Sequence, residues 1–140
     1  FERCGVPYFT ETQHSPGYAR NCGLEHAKGI YHICIDSDSL YPSKYVESNI
    51  KTLKQQNVVG CYSLWSFLPD ENHSSCQLAI YEFLRDLYLK IQNIKRPELN
   101  VRGMTFAFKT DINKKIKFRT DIIRGEDGSL ALELKKYGKL

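Results

Sequence analysis

Residues 15–38 read SPGYARNCGLEHAKGIYHICIDSD, and this stretch decides the fold. Ser15-Pro16 is a helix start: Ser suits the N-cap, and Pro suits the first helical position, where its fixed φ fits and its missing N–H has no partner to lose. The spacing predicts a helix to about Lys28, with Gly29 as its stop. Ala19, Gly23 and Ala27 recur at i, i+4 and i+8, a small-residue stripe that lets a helix backbone lie close on a sheet. Ile30–Asp36 follows at once. Its apolar run has little polar alternation, as a central strand buried on both faces requires. It ends in Asp36-Ser37-Asp38.

Outward from this stretch the same alternation continues. Gly5–Thr10 is apolar and β-favouring and reads as a short strand. Pro42 or Ser43 opens a helix with Val46, Ile50 and Leu53 on one face. Asn57–Trp65 reads as a strand, and a loop over Pro69–Ser75 leads to a long helix at about Gln77–Ile94. Leu78, Tyr81, Leu84, Leu87 or Tyr88, and Ile91 form its apolar stripe, and Pro97 ends it. Val101–Thr110 and Lys115–Phe118 read as strands, and Glu126–Tyr137 as a final helix stopped by Gly138. Strands alternating with helices predict an α/β fold, a mostly parallel sheet with flanking helices. Ligands of such sheets bind beyond the carboxyl ends of the strands, where Asp36 and Asp38 fall.

The 140 residues amount to one domain, 1–140, large enough for a core. With 41% hydrophobic and 26% charged residues the chain is neither disordered nor a coiled coil. No apolar run approaches the ~20 residues of a membrane span. Five Cys make an odd count, with no Cys-x-x-Cys spacing. This argues against structural zinc and a disulfide framework and for reduced thiols in the cytoplasm. Asn72-His73-Ser74 is formally a glycosylation acceptor, read as chance in a cytoplasmic protein. The net charge of +4 arises wholly within 109–124, where six bases meet only Asp111 and Asp121. Such a segment is either a solvated loop or a contact for phosphate or anionic lipid. Aromatic residues do not interleave with these bases at the density of a nucleic-acid stacking platform, which argues against nucleic acid.

Three groups of residues carry potential chemistry. Asp36 and Asp38, one residue apart at a strand's end, can share a hard divalent cation, which can in turn bind a diphosphate. An acidic turn before a helix has the same composition. Arg20 in the first turn of its helix opposes the macrodipole, so it serves an anion there or turns into solvent. Gly125-Glu126-Asp127-Gly128 places two acids at a helix start. They complement the dipole, or one of them removes a proton from a hydroxyl nucleophile, with the glycines leaving room for a substrate. His32 shares strand parity with Asp36, but a neutral core histidine is the simpler reading.

Taken together these residues resemble the family 2 glycosyltransferases of the type-A, Rossmann-like fold. Ala19-Arg20-Asn21-Cys22-Gly23 through Ala27 and Gly29, then Asp36-Ser37-Asp38 and Pro42, look like the family's A-R-N-x-G-x-x-x-A-x-G, D-x-D, x-x-x-P run. Val101–Lys109 with Gly103 looks like the segment that shapes the acceptor side. Gly125-Glu126-Asp127 looks like the Glu-Asp motif. The match spans about Gly17 to Leu134.

The resemblance implies inverting transfer of a sugar from a nucleotide-diphosphate donor to a saccharide or lipid-linked saccharide acceptor. By position, Asp38 would ligate a Mn²⁺ or Mg²⁺ ion, and Asp36 would hold the donor's ribose or the cation shell. Arg20 and Asn21 would lie near the nucleotide, Gly103 and Glu126 on the acceptor side, and Asp127 would be the catalytic base. A cytoplasmic location is implied, at the inner membrane surface where the acceptor is lipid-linked, with peripheral contact. Only Phe1–His14 precede the first helix, so the expectation is a catalytic-domain fragment without the N-terminal nucleotide-binding unit. The competing readings are a non-catalytic sugar- or nucleotide-binding module of the same fold and another metal-dependent nucleotide-using transferase.

Overall fold

The computed structural model describes residues 5–69, 71, 74–113 and 115–140. Cys4, Lys114 and the Asn72-His73 pair lie outside them. Helix α1 spans Pro16–His26, with Pro16 at its first position and Ser15 extended before it. Its buried face is Gly17, Asn21 and Leu24, and not the expected Ala19–Gly23–Ala27 stripe: a Cβ built on Gly23 would meet nothing within 4 Å. The close approach is at Gly17 instead, where a Cβ would sit 2.2 Å from the Arg119 carbonyl oxygen. The small residue that matters is therefore the one facing the chain at 118–120.

Three short strands form the sheet: β1 (Tyr31–Ile33), β2 (Gly60–Tyr62) and β3 (Phe106–Lys109). The order is β1-β3-β2, with β3 antiparallel to both neighbours. His32 and Gly60 flank Phe108, and Ile33 and Cys61 flank Ala107. The expected mostly parallel sheet is corrected in this respect. β1 and β2 do run the same way, as a strand–helix–strand unit demands, but β3 is inserted between them. β1 is also an edge among the described strands. All three of its residues are half-buried, and Ile30 and Ile35 are exposed, so the apolar run does not mark a strand covered on both faces. No strand forms over 6–10 or 115–118.

Alternation along β3 divides the core into two layers. Phe106 and Phe108 pack with Leu24 of α1, Phe118, and Leu130, Ala131 and Leu134. These last three belong to the C-terminal helix, Glu126–Leu134. Ala107 faces the other way, against Cys61, Val58 and Leu53. Leu53 closes α2, Tyr45–Leu53, whose buried face is Tyr45, Asn49 and Leu53. Val46 is exposed, so the helix is rotated from the expected Val46–Ile50–Leu53 face. Asn49 tolerates burial because its amide donates to the Tyr45 carbonyl, 2.9 Å, and its Oδ1 faces the Cys61 thiol, 3.3 Å. The result is α/β with helices on both faces of the sheet.

Helix α3 covers Ser75–Lys95 and starts with a capping box between Ser74 and Gln77. None of its residues is buried. A 3₁₀ turn at Pro97–Asn100 follows, then another at Gly103–Thr105 that leads into β3. A short helix, α4, covers Thr110–Asn113, and Glu126–Leu134 is α5.

Candidate functional site

α1, the Gly103–Thr105 turn and the start of α5 meet at one point. Arg20 falls in the second turn of α1 and not in the first, four residues after the Pro16 start that the sequence placed correctly. Its Nη1 donates to both Glu126 Oε1 and Asp127 Oδ1. The two carboxylates reach it because Gly125 takes a left-handed φ of 86° at the N-cap of α5 and turns the chain into the helix. Side chains at the cluster are sheltered: Arg20 is 23%, Glu126 7% and Asp127 14% exposed.

Gly103 forms the floor. A Cβ there would stand 1.9 Å from Arg20 Nη2 and 2.8 Å from Asp127 Oδ2, and the Gly103 backbone bonds to the Asp127 carboxylate. Phe118 lies beneath the guanidinium, 5.7 Å from Cζ to ring centroid, a cation–π distance. Asn21 fixes Phe118 in turn. Its Nδ2 donates to the Phe118 carbonyl and its Oδ1 accepts from the Phe118 N–H, both at 2.9 Å. Gly17, Asn21 and Glu25, at i, i+4 and i+8, all engage 117–119. Gly17 admits the Arg119 carbonyl, and Glu25 pairs with Lys117 at 2.6 Å. This part of the basic segment is thus docked on α1.

One guanidinium faces two carboxylates, so the cluster carries a net negative charge. Burial raises the Asp127 pKa. Arg20 opposes that rise, and the Glu126 charge adds to it, leaving a net upward direction. For Arg20, burial works against the charge, but Asp127 and Glu126 outweigh it and the pKa is raised. Both shifts are upward: the cation has two anions, and each anion shares its cation. Cys34, buried beside the cluster, is pushed up to about 12, mainly by desolvation, and stays a thiol.

Arg20, Gly103, Glu126 and Asp127 therefore meet, with Asn21 one layer behind, both ends of its amide turned to Phe118. Asp36 and Asp38 sit apart in an exposed turn after β1. The turn is nonetheless tied to the cluster. Asp36 N–H donates to Tyr41 Oη at 2.9 Å, and Tyr41 donates to the Met104 carbonyl at 2.8 Å, next to Gly103. Tyr41 and Phe118 were not singled out in the sequence. Tyr41 had one available signal, its place between the acidic turn and Pro42; Phe118 had none. His32 stacks on Phe108 at 4.9 Å, and burial lowers its pKa, which is core behaviour. Among the described residues no three His, Cys, Asp or Glu gather to hold a metal ion. Asp36 and Asp38 offer two hard oxygen donors, which suit a divalent cation whose other ligands come from a diphosphate and water.

The family model for glycosyl transferase family 2 matches residues 3–117. An uncharacterized glycosyltransferase of Haemophilus influenzae is 26% identical over 124 residues, covering 79% of this chain and 50% of that protein. The chain thus spans about half the length of the curated relative it matches. No solved structure matches. With the family model covering most of the chain, this chain belongs to glycosyl transferase family 2.

Proposed function

We propose that the chain forms one domain of an inverting glycosyltransferase in which Asp127 is the general base toward an acceptor hydroxyl. The observation that carries this reading is the convergence of Arg20, Gly103 and Glu126 on the Asp127 carboxylate. Asp127 takes the hydroxyl proton, and the acceptor oxygen attacks the anomeric carbon of the donor. The bond from that carbon to the diphosphate breaks on the opposite face, and its electron pair leaves with the diphosphate. The transition state has oxocarbenium character. Arg20 holds the base ionised and oriented, which supports a role at Asp127 over one at the nucleotide. Glu126, the more buried acid, orients Arg20 and borders the acceptor side.

Asp38 and Asp36 would hold Mn²⁺ or Mg²⁺, which offsets charge on the departing diphosphate. The Tyr41 bridge to Met104 supports this pairing, because it ties the acidic turn to the chain beside the base. The donor would be a nucleotide-diphosphate sugar and the acceptor a saccharide, free or lipid-linked, reached from the cytoplasm.

The test is a transfer assay on the full-length protein carrying Asp127→Asn. Turnover should fall by roughly 10²–10⁴-fold with donor affinity retained. Near-normal turnover would leave Asp127 as a helix-start partner of Arg20. Transfer activity absent from the native protein as well, with donor binding intact, would support a binding module. That second reading draws on one observation: both carboxylates are already engaged by Arg20.

A further inference from the structure

Helix α3 is 21 residues long, yet no residue on it is buried. Its protein side carries Leu78, Glu82, Arg85 and Leu89, all half-buried. Its outer side carries Ile80, Phe83, Leu84, Leu87, Ile91 and Ile94, exposed by 49–81%. A contiguous apolar face on this scale marks an interaction surface.

The charges on α3 say what covers it. Both acids are turned away from the apolar face. Glu82 accepts from Ser66 Oγ at 2.5 Å and from the Phe67 N–H at 3.1 Å. Asp86 is paired with Arg85 at 2.8 Å. Lys90 and Lys95 flank the face on its two sides, both exposed; Asp86, one turn before Lys90, is taken by Arg85. Tyr81 and Tyr88 lie along the Lys95 border, each half or more exposed. An apolar strip edged by lysine and tyrosine, its two acids engaged by protein groups, is the pattern of a helix lying in a membrane–water interface. A second copy fits less well. Side-by-side parallel pairing along Ile80, Leu84, Leu87, Ile91 and Ile94 would set Lys90 of one copy against Lys95 of the other, and the exposed face is wider than such a seam. No helix is long and apolar enough to cross a membrane among the described residues, so α3 would lie along the surface.

We propose that α3 docks this protein on an anionic bilayer, inserting Phe83, Leu87, Ile91 and Ile94 while Lys90 and Lys95 meet lipid phosphates. The experiment is sedimentation of the full-length protein with phosphatidylcholine vesicles, with and without phosphatidylglycerol. Binding to the anionic vesicles is expected, weakening as salt rises. Phe83→Ser with Ile94→Ser should cut it at least about tenfold, since these two most exposed side chains support no core. Lys90→Gln with Lys95→Gln should weaken binding and flatten its salt response. No sedimentation with anionic vesicles overturns the proposal, as does equal binding by the Phe83/Ile94 variant. A native dimer that this variant splits, without vesicle binding, assigns the face to a second copy. A lowered Tm in the variant, again without vesicle binding, assigns it to another part of the protein. Vesicle binding reads no transfer activity, so its outcome is independent of the catalytic reading.

Discussion

Asn21 and Phe118 close a reciprocal pair of 2.9 Å hydrogen bonds, in which one side-chain amide satisfies both backbone groups of the other residue. The amide does for 118 what a neighbouring strand would do, and it holds the ring under Arg20. Asn21→Ala would strand a buried N–H and a buried carbonyl. The expected loss is about 2–4 kcal/mol of unfolding free energy, measured by denaturant titration. A loss below ~1 kcal/mol would mean that water replaces the amide.

Gly103→Ala tests the floor of the cluster. The atoms nearest the new methyl would be the ends of the Arg20 and Asp127 side chains. Both ends can move, so the fold should survive with a stability change of about 1–3 kcal/mol. The ion pair should not survive, and turnover should drop by about 10²-fold, the scale of a misplaced catalytic group. Unchanged kcat would show that Arg20 and Asp127 need not touch.

The raised Asp127 pKa has a defined sign in stability. The unfolded chain releases this proton near the ordinary value of 3.8, and the folded chain releases it at higher pH. Between the two values the folded state binds more protons, so this residue's contribution falls as pH rises through the window. The stability difference between native protein and Asp127→Asn should fall across that window and be level above it. In turnover, the acid limb should lie above that of an ordinary aspartate. Arg20→Met should move it to still higher pH, because the cation opposing the rise is gone. An acid limb unmoved by Arg20→Met would remove Asp127 as the titrating base.

Asp38→Ala should leave stability within about ±0.5 kcal/mol, as for other exposed positions. It should remove most of the thermal stabilisation that Mn²⁺ and a nucleoside diphosphate give together. Full retention of that shift would place the cation elsewhere.

How far the sequence could be read varied with the range of the interaction. α1, α2, α3 and α5 follow from local signals: Ser15-Pro16, Pro42, the Ser74/Gln77 box and Gly125. The meeting of Arg20 with Glu126 and Asp127 is long-range and was not anticipated: the resemblance set Arg20 near the nucleotide and the two acids on the acceptor side. Neither the direction of β3 nor its place in the sheet has a local signature. Phe106–Lys109 would read the same in a parallel ladder, and its partners lie at Tyr31–Ile33 and Gly60–Tyr62. The rotation of α2 was missed for a related reason. Asn49 looks like a surface residue until Cys61 arrives to share its carbonyl oxygen.

The central place of β3 also sets a schedule. Among the described residues β1 and β2 form ladders only with β3, which is translated last of the three. At ~5–20 residues per second of synthesis, β1 waits on the order of ten seconds for its partner. During that interval the nascent chain has no sheet, and the faces of Leu24 and Leu53 stay uncovered. Such non-local pairing is intrinsically slow to form, so folding yield in the cell should depend on chaperones that shield the chain until residue 109 has emerged.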